Sequence, residues 1–105
     1  MMNILRVVLF MLSLTPSRGD ADLRLRFVEA EAIVNATPDE QLQDTLARIA
    51  WKESGFRPDV ADCRLRGDGG RALGVFQVQP RSGAERVAAC GELDGQARLA
   101  LERVE

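Results

Sequence analysis

The apolar positions of this chain fall into a continuous run, two helical stripes and, beyond a loop and a short β-tolerant segment, two further helical stretches. Val7 to Leu14 is an apolar run preceded by Arg6 and broken at Pro16. Leu23, Phe27, Ala30 and Val34 then recur at i, i+4, i+7 and i+11, one stripe of an amphipathic helix. Its charged positions (Arg24, Arg26, Glu29 and Glu31) read as a solvated face. Asn35 to Thr37 interrupt that helix, and Thr37-Pro38-Asp39-Glu40 predicts the start of another. Thr37 serves as N-cap, Pro38 as first helical residue, and Glu40 closes a capping box. This second helix carries Leu42, Leu46 and Ile49 on one stripe, runs to about Ser54 and stops at Gly55.

Residues 56–70 read as loop, with Pro58 and several Asp and Gly. Residues 73–79 suit a short strand or a tight turn. The stretches 81–90 and 96–105 are expected to be helical, separated by Gly91 and an Asp94-Gly95 turn signal. The fold class is therefore mainly α, a small helical domain with a short β segment or hairpin. Leu93, Ala97, Ala100, Leu101 and Val104 form a last stripe that runs to the end without a cap. That reads as a C-terminally incomplete domain or as a docking face.

Composition then limits the chemistry. At 105 residues, 46% hydrophobic and 29% charged, the chain is sized and balanced for one soluble domain. It has no His and no Tyr, which excludes Ser–His and Cys–His nucleophiles and His-ligated metals. Two Cys cannot form a Cys₄ site, so neither metal nor cofactor is expected. The formal charge of −2 offers no basic field for nucleic acid. Arg6, the apolar run, Pro16 and the small residues Gly19 and Ala21 have the layout of a signal peptide cleaved after Ala21. Residues 1–21 are then a leader, too short in apolar run to span a bilayer, with an uncleaved N-terminal anchor as the alternative. Residues 22–105 form the mature domain, secreted or periplasmic, meeting a membrane only through the leader during export. In an exported chain the lone pair Cys63 and Cys90 favours a disulfide, worth about 3–4 kcal/mol on the chain-entropy argument. In a reducing compartment they would instead be two buried thiols.

Glu53 is the residue that points to function. Eleven positions after Leu42, it falls about 20° from it on the helical wheel, at the centre of the apolar stripe. A carboxylate desolvated there would stay protonated near neutrality, as a general acid must. A frayed helix end or an ion pair with an Arg are the structural alternatives. Trp51, opposite Leu42, is expected to pack on the preceding helix.

Two motifs surround that carboxylate. Ile49-Ala50-Trp51-Lys52-Glu53-Ser54-Gly55-Phe56-Arg57-Pro58 is followed by Leu73-Gly74-Val75-Phe76-Gln77-Val78-Gln79-Pro80. In order and spacing they resemble the lytic transglycosylase and goose-type lysozyme family, which cleaves the glycan strands of peptidoglycan. The resemblance covers about residues 39–82 and implies a lysozyme-like helical fold. It implies Glu53 as catalytic acid, Ser54 as a hydroxyl lining the adjacent subsite and Gln77 as an amide beside the cleft floor. It also implies that Gly74 lets backbone approach the sugar closely. The second motif has Val75-Phe76 where the family has Leu-Met, and the family's downstream Tyr-bearing motif is absent. A lyase would need only Glu53. A hydrolase needs a second carboxylate, for which Asp59, Asp62 and Asp68 are available. A glycan-binding derivative without activity and a helical partner domain of an envelope assembly are the remaining readings. The oligomeric state is left open by the sequence.

Overall fold

The computed structural model describes residues 2–104, apart from the side chains of residues 2 and 68. Six helices follow one another: α1 (Met2–Leu14), α2 (Asp20–Ala36), α3 (Glu40–Ser54), α4 (Pro58–Ala61), α5 (Gly83–Cys90) and α6 (Leu93–Val104). The β-tolerant stretch is a tight turn closed by two isolated antiparallel bridges, Gly67 with Ala72 and Leu73 with Val78. The mainly α class expected from periodicity is what the chain adopts. Residue 105, expected at the end of the last helix, lies outside the described residues.

Local chemistry places the helix ends slightly differently from expectation. The cap of α3 is Asp39, whose carboxylate accepts from the backbone N–H groups of Gln41 and Leu42. Thr37 stands two residues earlier and accepts from Asp39 N through its hydroxyl. A charged oxygen two residues closer to the first free N–H groups outcompetes the Thr hydroxyl for them. At the other end Gly55 takes the left-handed conformation (φ 60°) that closes the helix. α6 begins at Leu93, so Asp94 and Gly95 lie in its first turn rather than in a loop. An acidic residue suits that position at the positive end of the helix.

One core holds α1, α2, α3 and α6 together, with Val7, Val8, Met11, Ile33, Leu46 and Phe56 fully or almost fully buried. The apolar run of residues 7–14 is thus packed against α2 and α3. This packing changes the face of α2 that was expected to be solvated: Arg24 and Glu31 are exposed, while Arg26 and Glu29 are buried. The Arg26 guanidinium reaches the carbonyls of Thr15 and Pro16 just beyond the end of α1, pairs with Asp22 at 3.2 Å, and lies 4.8 Å above the Phe56 ring. It caps the carbonyl end of α1, where unpaired acceptors and the helix dipole favour a cation. Glu29 has no such partner. Neither of its oxygens is hydrogen-bonded, and burial pushes its carboxyl up to about 8 against the pull of Arg26. The space beside it, bounded by Ala32, Val75, Phe76 and Leu93, has no room for a water molecule.

A smaller cluster of Cys63, Leu73, Ala89 and Leu99 fastens the loop side of the molecule. Cys63 and Cys90 are joined by a disulfide with Cα atoms 5.7 Å apart, as expected for an oxidising setting. Among the described residues no helix is long and apolar enough to cross a membrane.

Candidate functional site

The last turn of α3 and the turn 73–78 face each other across an open cleft. Glu53, Ser54, Arg57, Arg66, Gly67 and Gln77 line one cavity there, of about 310 Å³. A second cavity, about 440 Å³, is lined by Ile49, Phe76, Gln77, Pro80, Arg81 and Arg103 among others. Gln77 borders both. Ile49 and Glu53 are one helical turn apart on α3, so the two cavities follow each other along the flank of that helix.

Glu53 is where the motif puts it but not buried as the wheel predicts. It is exposed at the cleft. The buried face of α3 is built on Gln43, Leu46, Ala47, Ala50 and Ser54. That face centres on small residues about 80° away from Glu53, because Ala47 and Ala50 let α3 approach its neighbours closely. Leu42 and Ile49 are left half-buried at its edge, and Glu53, on their line, clears the core. Trp51, expected to pack on the preceding helix, is 42% exposed for the same reason. Among the described residues none donates a hydrogen bond to the Glu53 carboxylate.

Ser54 lines the cavity, but its hydroxyl is committed to the helix end. It donates to Ala50 O at 2.7 Å and accepts from Phe56 N at 3.3 Å. Phe56, fully buried at φ 58°, plugs the core beneath Arg26 and pins the end of α3. The Glu-Ser-Gly-Phe sequence thus acts locally as a helix stop that leaves its Glu at the rim.

Gln77 sits at φ 48°, with its backbone N–H and its side-chain amide both donating to Gly74 O, at 3.1 and 2.9 Å. Its carboxamide also lies against Gly67, where a Cβ would collide with Oε1. Gly74 itself is buried at φ 78°, and a Cβ there would run into the Ala89 carbonyl and the Gln96 carboxamide. It serves the packing of the turn on α5 and α6 rather than the approach of a sugar. Its carbonyl, not its missing side chain, contributes to the cleft, by orienting Gln77.

Among the described residues the acidic loop supplies no second carboxylate to the Glu53 cavity. Asp59 pairs with Arg57 at 2.7 Å, and Asp62 pairs with Arg64 at 2.7 Å. The hydrogen bonds from Arg64 hold the Asp62 carboxyl below its usual range. The Asp68 side chain falls outside the described residues. Among the described residues no group of His, Cys, Asp and Glu is arranged to hold a metal.

Periodicity did not identify Gln96, which is 3% exposed and ties three segments together. Its Oε1 accepts from Val75 N at 2.9 Å, and its Nε2 donates to Ala61 O and Gly91 O at 3.0 and 2.9 Å. Its place in the stripe of α6, between Leu93 and Ala97, was the signal available. Compared with known proteins, the chain matches no family model, no curated relative and no solved structure.

Proposed function

We propose that this chain acts on the glycan strand of peptidoglycan and that Glu53 is the proton donor to the glycosidic oxygen. The observation that carries the reading is the joint position of Glu53 and Gln77 on one cavity, with a second cavity continuing past Gln77 along α3. An extended polymer lying along that flank passes the carboxyl group with its backbone on both sides. The resemblance of the two cleft-forming motifs to those of lytic transglycosylases supplies the substrate class.

In the reaction, Glu53 in its acid form gives its proton to the oxygen that leaves. The resulting carboxylate then takes a proton from a hydroxyl of the same sugar as that hydroxyl closes onto the anomeric carbon. The products are a shortened strand and an anhydro-sugar end, and Glu53 returns to its acid form. This route is preferred over hydrolysis because the described carboxylates nearest in sequence, Asp59 and Asp62, are held by their own arginines and do not line the Glu53 cavity. The disulfide and the leader-like N-terminal sequence support a secreted or periplasmic site of action.

A second reading, glycan binding without cleavage, is favoured by the exposure of Glu53 and the lack of a described hydrogen-bond donor to orient it. Incubating the chain with purified peptidoglycan and weighing the products by mass spectrometry separates the readings. Anhydro-muropeptides support the lyase, reducing ends a hydrolase, and intact strands that co-sediment with the protein the binding role. Intact strands, whether or not they co-sediment with the protein, overturn the proposed cleavage, and the absence of both cleavage and binding overturns the glycan reading as a whole.

A further inference from the structure

The cations around the cleft are not equivalent. Arg57 is neutralised by Asp59, and Arg64, on the same loop, by Asp62. Arg103, in the neighbouring cavity, is tied to Glu85 at 2.6 Å. Arg66 lines the Glu53 cavity and has no carboxylate partner among the described residues. Its guanidinium is nevertheless aimed, because its Nε donates to Cys63 O at 3.1 Å. That carbonyl belongs to a disulfide-bonded residue, so the anchor is fixed by the link to α5. The next residue, Gly67, is bridged to Ala72 and touches the Gln77 carboxamide, which sets the distance of the loop from the cleft floor. With Nε occupied, the two terminal nitrogens of Arg66 remain as a fork, the geometry that grips a carboxylate through two parallel hydrogen bonds.

We infer that Arg66 is a specificity-determining residue of the Glu53 cleft, reading a carboxylate carried by the glycan. Neutral N-acetylated sugars offer no such group. A sugar bearing a lactyl ether acid does, and so does a glycan whose acid is extended by a peptide stem ending in a carboxylate. The inference rests on the glycan-cleaving reading of the cleft and deepens it. Selection arises because the unpaired cation gains a partner only when the acidic sugar occupies the cavity.

The test uses the full chain carrying Glu53→Gln, so that ligands are held and not cut. Calorimetric titration is run with three ligands: neutral N-acetylglucosamine oligomers, peptide-free glycan oligomers with free lactyl carboxylates, and stem-bearing glycan oligomers. Arg66→Gln is expected to weaken binding of the carboxylate-bearing ligands by about tenfold, the weight of one charge-assisted contact open to water. Binding of neutral oligomers should not change. Arg66→Lys should recover part of the loss, since an ammonium keeps the charge but not the fork. A loss on the peptide-free acidic glycan alone assigns the contact to the lactyl acid, a loss on stem-bearing glycan alone assigns it to the peptide carboxylate, and a loss on both shows that Arg66 takes a carboxylate in either position. An equal loss on all three ligands, or no loss on any, overturns the role of Arg66 while the glycan reading stands. If the chain with Arg66 intact binds none of the three, the glycan reading itself fails.

Discussion

Gln96 uses almost its whole carboxamide inside the protein, with partners on Val75, Ala61 and Gly91. Gln96→Leu keeps the volume and strands one backbone N–H and two carbonyls away from water. The expected cost is about 2–4 kcal/mol, read from urea melts, because buried backbone groups that lose their partners are expensive. Glu29 presents the opposite case, a buried acid with no hydrogen-bond partner. Its carboxyl is raised by burial from 4.5 to about 8, so between those values the folded chain holds a proton that the unfolded chain releases. Stability should therefore fall as pH rises through that window, by about 3 kcal/mol from pH 5 to pH 8, and level off above it. With no His and both Cys bonded, no other side chain has its ordinary value in that range. Glu29→Gln should flatten the slope in melts at the two pH values, and an unchanged slope would assign it to another group.

Among the elements, α1 has the widest structural consequences. Val7, Val8 and Met11 are buried against α2 and α3, and Arg26 is spent on the carbonyls that follow α1. A chain of residues 22–105 would uncover that apolar surface and leave Arg26 with Asp22 and the Phe56 ring. It should be less stable than residues 1–105 by at least about 4 kcal/mol, from the lost burial alone. Comparing the two by circular dichroism melts checks this, and equal midpoints would show that α1 adds nothing. The loop side depends on the disulfide in the same way. Replacing both Cys63 and Cys90 by Ser should cost about 3–4 kcal/mol, because the loop they close is then free in the unfolded chain. Thiol labelling of the denatured, unreduced protein should find no free thiol.

At the scale of the whole molecule, the radius of gyration of 12.5 Å is close to the ~13 Å of a folded chain of this length. The cleft lies where the flank of α3 meets the 73–78 turn, and its walls are set by the core rather than by the cleft residues themselves. On the proposed reading, Glu53→Gln removes the proton donor without disturbing packing. Cleavage of peptidoglycan should fall by about 10²–10⁴-fold, the usual weight of acid catalysis. Stability should stay within about 0.5 kcal/mol, as for exposed sites. Turnover equal to that of the unaltered chain would remove Glu53 from the mechanism.

Periodicity and local chemistry were enough for the helices of residues 23–54, the stop at Gly55, the pairing of the lone cysteines and the turn near residues 73–79. Each depends on interactions within a few residues, or, for the cysteines, on there being one possible pair. Even there, the choice between Thr37 and Asp39 as cap rested on which oxygen reached the free N–H groups. The solvation of each face was decided by tertiary packing. The large aliphatic stripe of α3 looked like the buried face, but Ala47 and Ala50 permit a closer approach, and the rotation that follows carries Glu53 and Trp51 outward. Arg26 and Glu29 looked solvated until α1 and the 73–78 turn were laid over them. Gly74 read as an opening for a sugar and is filled by Ala89 and Gln96. A helical wheel records which residues share a line, whereas burial depends on what packs against that line and how near it can come.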